Sequence, residues 1–187
     1  MLDEIFNVIK VLSSGGTILY PTDTIWGIGC DATNSVAVNK IYKIKKRVES
    51  KCFIVLVSDT EMLKDYLVKF PDIVSYLINN LEQPTTIIYP FAKNLVKNVI
   101  APDGSIAIRI VKDEFCKQMI TLFGKPIVST SANFSGEPAP ISFCKISNEI
   151  IKSVDYVVKY DRNKIKQMKP STIIKIHDSG DYEIVRH

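Results

Sequence analysis

Residues 105–131 read SIAIRIVKDEFCKQMITLFGKPIVSTS, and this stretch decides the fold class. It predicts a strand over 105–110, a helix over 113–123 and a second strand over 127–130. An apolar strand followed by an amphipathic helix and another apolar strand is typical of a sheet covered by helices. The stretch therefore indicates an α/β protein.

The same alternation extends in both directions along the chain. Helical spacing of apolar residues predicts helices near 2–12, 36–44, 61–69, 72–80 and 143–152. Short apolar runs predict strands at 17–20, 53–57, 85–89, 155–158, 172–176 and 182–186. We expect Asp3 to cap the first helix and Gly15-Gly16 to end it. Because several strands follow one another closely near residue 187, the sheet is expected to be mixed, within a single domain over 1–187.

Composition excludes several classes of protein. The chain has 187 residues, 46% of them hydrophobic and 24% charged, which is typical of a globular protein and not of a disordered or fibrous one. Its longest apolar runs are strand-sized, so no membrane span is expected. The start, MLDEIFNVIK, carries acids where a secretory signal needs positive charge. Four scattered cysteines and two histidines predict no metal site, and we expect a reduced, cytoplasmic protein.

Positive charge is concentrated in two stretches. Residues 40–51 hold six bases and one acid, and residues 159–169 hold five bases and one acid, although the net charge of the whole chain is only +4. Such clustering suits a polyanionic ligand, a nucleotide or RNA. Solvation of two surface segments would produce the same pattern, so charge alone leaves both interpretations open.

Three loops combine residue types that bind small polar ligands. The first, YPTDTIWGIG at 20–29, follows a strand and carries two threonines, an acid and glycines that permit close approach of a ligand. An ordinary turn held by an Asx-type hydrogen bond could have the same composition.

The second loop is Lys45-Lys46-Arg47, where the apolar periodicity stops after Ile44. If the chain is extended here, Lys45 and Arg47 lie on one side and offer a point charge and a planar fork to phosphate oxygens. A solvated basic helix end, favoured by the helix dipole, is the alternative.

The third loop, PIVSTSANFSG at 126–136, takes an apolar strand into a cluster of hydroxyls and an amide. Ser131 and Asn133 share a side if the strand continues. Such groups can bind ribose, phosphate or an amino acid without adding charge. A capping and turn segment is the alternative, but it needs only one or two such residues.

Several catalytic motifs are absent from the sequence. It contains no GxxxxGK[ST] phosphate loop, no GxGxxG and no GxSxG. A Ser-His-Asp hydrolase would need a histidine in a recognisable setting, and His177 has none.

Taken together and in this order, the loops resemble the YrdC-type family, the threonylcarbamoyl-AMP synthases. The matching stretches are GGTILYPTDTIWGIGCDA (15–32), IYKIKKR (41–47), SIAIRI (105–110), PIVSTSANFSGEP (126–138) and PSTII (170–174). The paired signature KxR…SxN is Lys45, Arg47, Ser131 and Asn133 here. The chain resembles the short form of the family, without an appended C-terminal domain.

The resemblance implies a twisted open mixed sheet flanked by helices, with a basic concave face. It also implies an enzyme, a nucleotidyltransferase that condenses L-threonine, bicarbonate and ATP and releases diphosphate, with Mg²⁺ carried by the ATP. The product would feed threonylcarbamoyladenosine modification of tRNA position 37, made with tRNA threonylcarbamoyl transferase proteins as partners. Binding of tRNA itself is compatible with this view.

The resemblance assigns the site residues by motif. The catalytic set is Lys45, Arg47, Ser131 and Asn133. The ATP-binding set is Arg47, Lys51, Ser105, Ser131, Asn133 and Arg186. The threonine-binding set is Thr22, Thr24, Arg109, Ser129 and Ser171. A charge at Arg109, inside the apolar run 105–110, needs a partner, either a substrate carboxylate or a protein acid.

Two segments depart from the family pattern. Residues 47–52 lack the usual prolines, and residues 82–86 read EQPTT without the usual glycine. These departures bear on pocket shape. Besides the synthase, two alternatives are open. One is a noncatalytic RNA-binding module that uses the same basic face, and the other is a different ATP-using carbamoyl or acyl transferase.

Overall fold

The computed structural model describes residues 1–46, 53–81, 83–163 and 171–186. Its helices are α1 (Leu2–Ser13), α2 (Ser35–Lys45), α3 (Thr60–Asp65), α4 (Asp72–Asn80), α5 (Glu114–Phe123) and α6 (Asn148–Ser153). Its strands are β1 (Ile18–Pro21), β2 (Trp26–Asp31), β3 (Ile54–Val57), β4 (Thr85–Tyr89), β5 (Ile106–Ile110), β6 (Ile127–Ser131), β7 (Tyr156–Val157), β8 (Thr172–Ile176) and β9 (Tyr182–Arg186). Short 3₁₀ turns lie at Lys97–Val99 and Phe143–Lys145.

Over these described residues the strands form one sheet in the order β7-β1-β2-β6-β3-β5-β4-β8-β9. The pairs β1–β7, β3–β5 and β4–β8 are parallel, and the other neighbours are antiparallel. The predicted mixed α/β sheet is thus confirmed. In the same residues no helix is long and apolar enough to cross a bilayer.

Three local predictions were wrong. Residues 26–31 belong to strand β2, which pairs with β1 and β6, although the sequence pattern indicated a loop over 20–29. Helix α1 begins at Leu2 with Met1 as its N-cap, so Asp3 lies in the first turn, where its charge favours the helix dipole, and does not cap it. The helix predicted near 143–152 is a 3₁₀ turn followed by α6.

One face of the sheet packs against four of the helices, and the edge strand β9 stays exposed. Alternate strand residues, including Ile28, Val55, Ile108 and Val128, point to this face because side chains along a strand alternate between faces. They form the larger core together with α2, α3, α4 and α6.

The opposite face is divided into two parts. Helices α1 and α5 pack over Ile18, Tyr20, Leu56 and Ile127, which we call the covered half. Beyond these helices, strands β2, β3, β5 and β6 carry the open half. Its residues, which the strand register places on the same face, are Gly27, Ile54, Ala107, Arg109, Ser129 and Ser131. On β6, Ile127 belongs to the covered half, and Ser129, two residues further along, belongs to the open half.

Candidate active site

A cavity of about 420 Å³ lies over the open half of the sheet. This volume falls within the range of small-molecule sites. The sequence-predicted site residues that line it are Thr22, Thr24, Arg109, Ser129, Ser131, Ser171 and Arg186. Among the described lining residues the only charged ones are Arg109 and Arg186, so the cavity wall offers cationic donors to a ligand.

The turn between β1 and β2 forms one wall of the cavity, and Thr22 organises it. The Thr22 hydroxyl donates to the Ile25 carbonyl at 2.7 Å and accepts from the backbone N–H of Thr24 at 3.1 Å. The hydroxyls of Thr22 and Thr24 lie 3.1 Å apart. This turn is more than an ordinary connection, because both hydroxyls are buried at the cavity wall.

Ser129 on strand β6 lines the cavity. Tyr20, whose ring packs in the covered half, holds the Ser129 side chain in place. The Tyr20 hydroxyl donates to Ser129 Oγ over 2.8 Å, and burial raises the pKa of the Tyr20 phenol, which therefore stays protonated as a donor. The tyrosine ring occupies the space above Gly29, where a Cβ would lie 2.8 Å from a ring carbon. Ser129 keeps its own proton for a ligand in the cavity.

The Lys45 ammonium holds the loop that follows β6. Its Nζ donates to the carbonyls of Ser131 and Asn133 at 2.6 and 2.7 Å, and Asn133 Oδ1 lies 3.3 Å away. In the reverse direction the Ser135 N–H donates to the Lys45 carbonyl. The side chain is 2% exposed. Lys45 is the last residue of α2, and Lys46 ends the helix with a left-handed backbone, φ 50°.

Ser131 and Asn133 are brought together as the sequence predicted, but not by a continuing strand. Strand β6 ends at Ser131, and the Ser131 hydroxyl donates to Asn133 Oδ1 across the turn that follows. The Asn133 amide donates in turn to the Glu137 carbonyl. Lys45, Ser131 and Asn133 therefore form one connected cluster.

Arg109 extends into the cavity from the middle of β5. Its Nη2 lies 3.0 Å from Asp23 Oδ1, and the two side chains are 5% and 7% exposed. The pairing with a protein acid, one of the two partners that the sequence left open, is thus present. It does not rule out a substrate carboxylate, because a guanidinium carries several further donors.

Arg186 closes the opposite side of the cavity. Its Nη2 and Nε donate to the Ser171 carbonyl at 2.7 and 3.2 Å. The Ser171 hydroxyl lies 2.9 Å from the Thr86 hydroxyl, which is fully buried. Arg186 on β9 thus anchors the residue that precedes β8.

Known proteins share both sequence and fold with this chain. The family model Sua5_yciO_yrdC, described as "Telomere recombination", matches residues 10–187. The chain belongs to the Sua5/YciO/YrdC family. The resemblance stated from the sequence motifs is thereby confirmed.

Relatives within the Sua5/YciO/YrdC family cover most of the chain. A Methanocaldococcus jannaschii protein is 36% identical over 170 residues, which are 90% of this chain and 78% of its own length. The threonylcarbamoyl-AMP synthase of Pseudoalteromonas translucida is 33% identical over 88% of this chain and 89% of its own.

A solved structure shares the fold. The crystal structure of P. abyssi Sua5 complexed with L-threonine superposes with a TM-score of 0.84 at 23% identity. It covers 92% of this chain, and the chain spans 50% of the Sua5 length.

Three of the residues that the family motif assigns to ATP are not found at the cavity. Arg47 and Lys51 fall outside the described residues, as does the whole departing segment 47–52. Ser105 does not line the cavity, and its hydroxyl donates to Asp103 at 2.6 Å beside a different depression. Among the described residues no group of three potential metal ligands is assembled.

The structure also brings to the cavity region two residues to which the sequence assigned no role, Tyr20 and Asp23. Both lie in or directly after β1, next to Thr22 and Thr24. A buried tyrosine needs a partner for its hydroxyl, and this requirement was the available signal for Tyr20. Nothing in the sequence identifies the partner, which is 109 residues away.

Proposed function

We propose that this chain joins L-threonine, bicarbonate and ATP into threonylcarbamoyl-AMP and releases diphosphate. The observation that carries the proposal is one cavity that collects all five predicted threonine-binding residues and Ser131. Its hydroxyls and arginines match an amino acid, which offers a carboxylate, an amine and, in threonine, a hydroxyl. The relatives that bear the name of this synthase support the same reaction.

The first step forms a carbamate. The lone pair of the threonine amine attacks the carbon of bicarbonate and forms the new C–N bond. The C–OH bond of bicarbonate breaks, and the hydroxide takes a proton from the amine and leaves as water. Arg109 holds the threonine carboxylate, and Thr24, Ser129 and Ser171 bond its other polar groups. Fixing the amino acid at both ends places its amine for attack.

The second step forms the adenylate. A carbamate oxygen attacks the α-phosphorus of ATP, and diphosphate leaves with the electrons of the broken P–O bond. Both reactants are anionic, so positive charge from Arg186 and Arg47 lowers their repulsion. Ser131 and Asn133 orient the phosphate or ribose, and Lys45 keeps their loop in place. Mg²⁺ enters on the ATP phosphates.

The product carries an activated carbamoyl group, so a second enzyme must transfer it. We place that transfer on the adenosine at tRNA position 37, with tRNA threonylcarbamoyl transferase proteins as partners. The basic stretches 40–51 and 159–169 are the surfaces on which we expect any contact with tRNA.

Release of diphosphate from ATP and Mg²⁺ tests the proposal. We expect release only when L-threonine and bicarbonate are both present, and weaker release with serine or valine. Equal release with serine or valine would point to a different ATP-using transferase. Salt-sensitive RNA binding by folded protein, without diphosphate release, would favour the noncatalytic RNA-binding module.

A matched pair of variants ties the activity to the cavity. Ser131→Ala removes the hydroxyl that bonds Asn133, and we expect turnover to fall about tenfold or more. Ser14→Ala removes an exposed hydroxyl that bonds the Val11 carbonyl at the end of α1, and we expect full activity. Equal activity of the two variants would show that the Ser131 hydroxyl has no role in the reaction.

A further inference from the structure

The pair of Asp23 and Arg109 carries an inference beyond the reaction itself. Both groups are charged and almost fully buried, and within the described chain they form an ion pair with each other over 3.0 Å. Both Asp23 carboxylate oxygens and Arg109 Nε lack a hydrogen bond of good geometry among the described residues. Buried polar groups are nearly always hydrogen-bonded, so three such atoms at one place require an explanation.

The neighbouring donors do not satisfy Asp23. The Tyr20 hydroxyl donates to Ser129, and the Cys116 thiol donates to the Pro21 carbonyl at 3.4 Å. Burial first, then the carboxylates of Asp113 and Asp23, raise the pKa of the Cys116 thiol, which therefore stays neutral. The Asp23 carboxylate is thus left to Arg109.

Stability does not account for this arrangement. An under-bonded buried ion pair gains little over apolar side chains of the same volume, because removing both charges from water is costly. Arg109 lines the cavity and Asp23 does not. Asp23 therefore lies behind the cavity wall, and its ion-pair partner Arg109 is the group through which it contacts the cavity.

We infer that Asp23 is a positioning residue that fixes the Arg109 guanidinium so that its remaining donors meet the carboxylate of the amino acid substrate. The inference rests on the proposed function. Asp23 sits in the turn organised by Thr22, so the same turn that supplies Thr24 to the cavity also orients Arg109. The turn thereby positions both Thr24 and Arg109, which contact different groups of the same substrate.

A double-mutant cycle tests this role. Asp23→Asn keeps the size of the side chain and removes its charge, and we expect the KM for L-threonine to rise about tenfold while the KM for ATP stays within about twofold. Arg109→Gln should raise the threonine KM further. In the double variant the loss should equal that of Arg109→Gln alone, because a residue that acts through another has no effect once that one is gone.

Three results would overturn the inference. The threonine KM of Asp23→Asn could be unchanged, the KM for ATP could rise as much as that for threonine, or the two effects could multiply in the double variant. If Asp23→Asn alone does not fold, Arg109→Gln is compared with the double variant, whose pair is neutral. A difference above about twofold between those two would also reject the inference.

Calorimetric titration with L-threonine separates this inference from the proposed function. A wild-type protein that neither binds L-threonine nor releases diphosphate would refute the proposed function. A wild-type protein that binds L-threonine, with an Asp23→Asn variant that binds it equally well, would refute the inference alone. If the wild type binds without turnover, the Kd replaces the KM in the cycle.

Discussion

The covered and open halves of one sheet face share strands β3 and β6 and differ in what lies over them. In the covered half, Leu56 and Ile127 are fully buried beneath α1 and α5. Two residues away on the same strands, Ile54 and Ser129 line the cavity. A strand thus changes from core to site within about 7 Å, which is two residues of rise.

The difference shows how this fold separates stability from recognition. Apolar burial on the covered half contributes free energy of folding in proportion to the area removed from water. The open half contributes less of this free energy, because apart from Ile54 its residues are small or polar. Tyr20 joins the two halves, since its ring packs in the covered core and its hydroxyl holds Ser129.

The largest expected effect is a loss of stability from a substitution in the covered half that leaves the cavity of the open half unchanged. Leu56→Ala should lower the free energy of unfolding by about 2–5 kcal/mol, because it leaves a void between strand and helices. The kcat/KM of the folded variant should stay within about twofold of wild type, because Leu56 does not line the cavity. Urea unfolding and diphosphate release measure the two quantities.

Ile54→Ala, on the same strand, is the matched variant in the open half. Ile54 is only partly buried, so its loss of stability should be about 1 kcal/mol, while a wider cavity should raise the KM for threonine. Equal effects of the two variants on stability and on KM would contradict the separation of the halves.

The next effect compares two adjacent lysines at the edge of the open half. Lys45→Met should lower stability by about 3 kcal/mol, because the carbonyls of Ser131 and Asn133 lose a charged donor. The KM for ATP should rise as their loop moves. Lys46→Met removes an exposed ion pair with Glu149 and should change stability by less than about 0.5 kcal/mol.

These two lysine variants also distinguish between two roles for Lys45. A Lys45→Met protein as stable as Lys46→Met, yet inactive, would show that the ammonium acts on the substrate directly. Thermal unfolding and ATP titration of both variants decide between the two roles.

A smaller effect tests the connection between the halves. Tyr20→Phe keeps the packed ring and removes the hydrogen bond to Ser129, so stability should fall by about 1 kcal/mol and the threonine KM should rise about fivefold. Tyr182→Phe, on the exposed strand β9, serves as the control. If both variants keep the wild-type KM, then Ser129 does not need Tyr20 for its position.

Most of the fold could be predicted because periodicity is a local signal. The predicted strands 85–89, 172–176 and 182–186 agree with β4, β8 and β9 to the residue. Strand β2 was missed because Gly27 and Gly29 suggest a loop. The structure shows that Gly29 is small because the Tyr20 ring lies over it, a contact across strands that no local pattern contains.

The motifs predicted which residues line the cavity. They did not predict the contacts that hold those residues in place. The residues that the resemblance assigns to threonine come from separate stretches of the chain and line one cavity, and their binding of threonine stays a prediction. The partners of Arg109 and Ser129 depend on how distant strands align. A mid-strand arginine shows that a partner is needed, but only the three-dimensional structure identifies Asp23.

The smallest effect lies away from both halves and sets a baseline for the others. Asp59 caps α3, where its carboxylate accepts from the Met62 N–H at 2.9 Å and from the Ser58 hydroxyl at 2.8 Å. These two hydrogen bonds, that of the Met62 N–H first, lower the pKa of Asp59 below its ordinary value of 3.8. Asp59→Asn should therefore cost about 0.5 kcal/mol at pH 7 and leave the threonine KM unchanged.

The sign of the pH dependence follows from the direction of that pKa shift. Because the folded state favours the ionised carboxylate, the wild type is more stable than the Asp59→Asn variant by the full amount above the unfolded pKa of Asp59. This advantage disappears as the pH falls through the lowered folded pKa. Urea unfolding of both proteins at about pH 7 and about pH 3 should show a difference that shrinks in acid. A difference that grows with acidity would mean that Asp59 is stabilised in its protonated form, and that the cap is not the source of its effect.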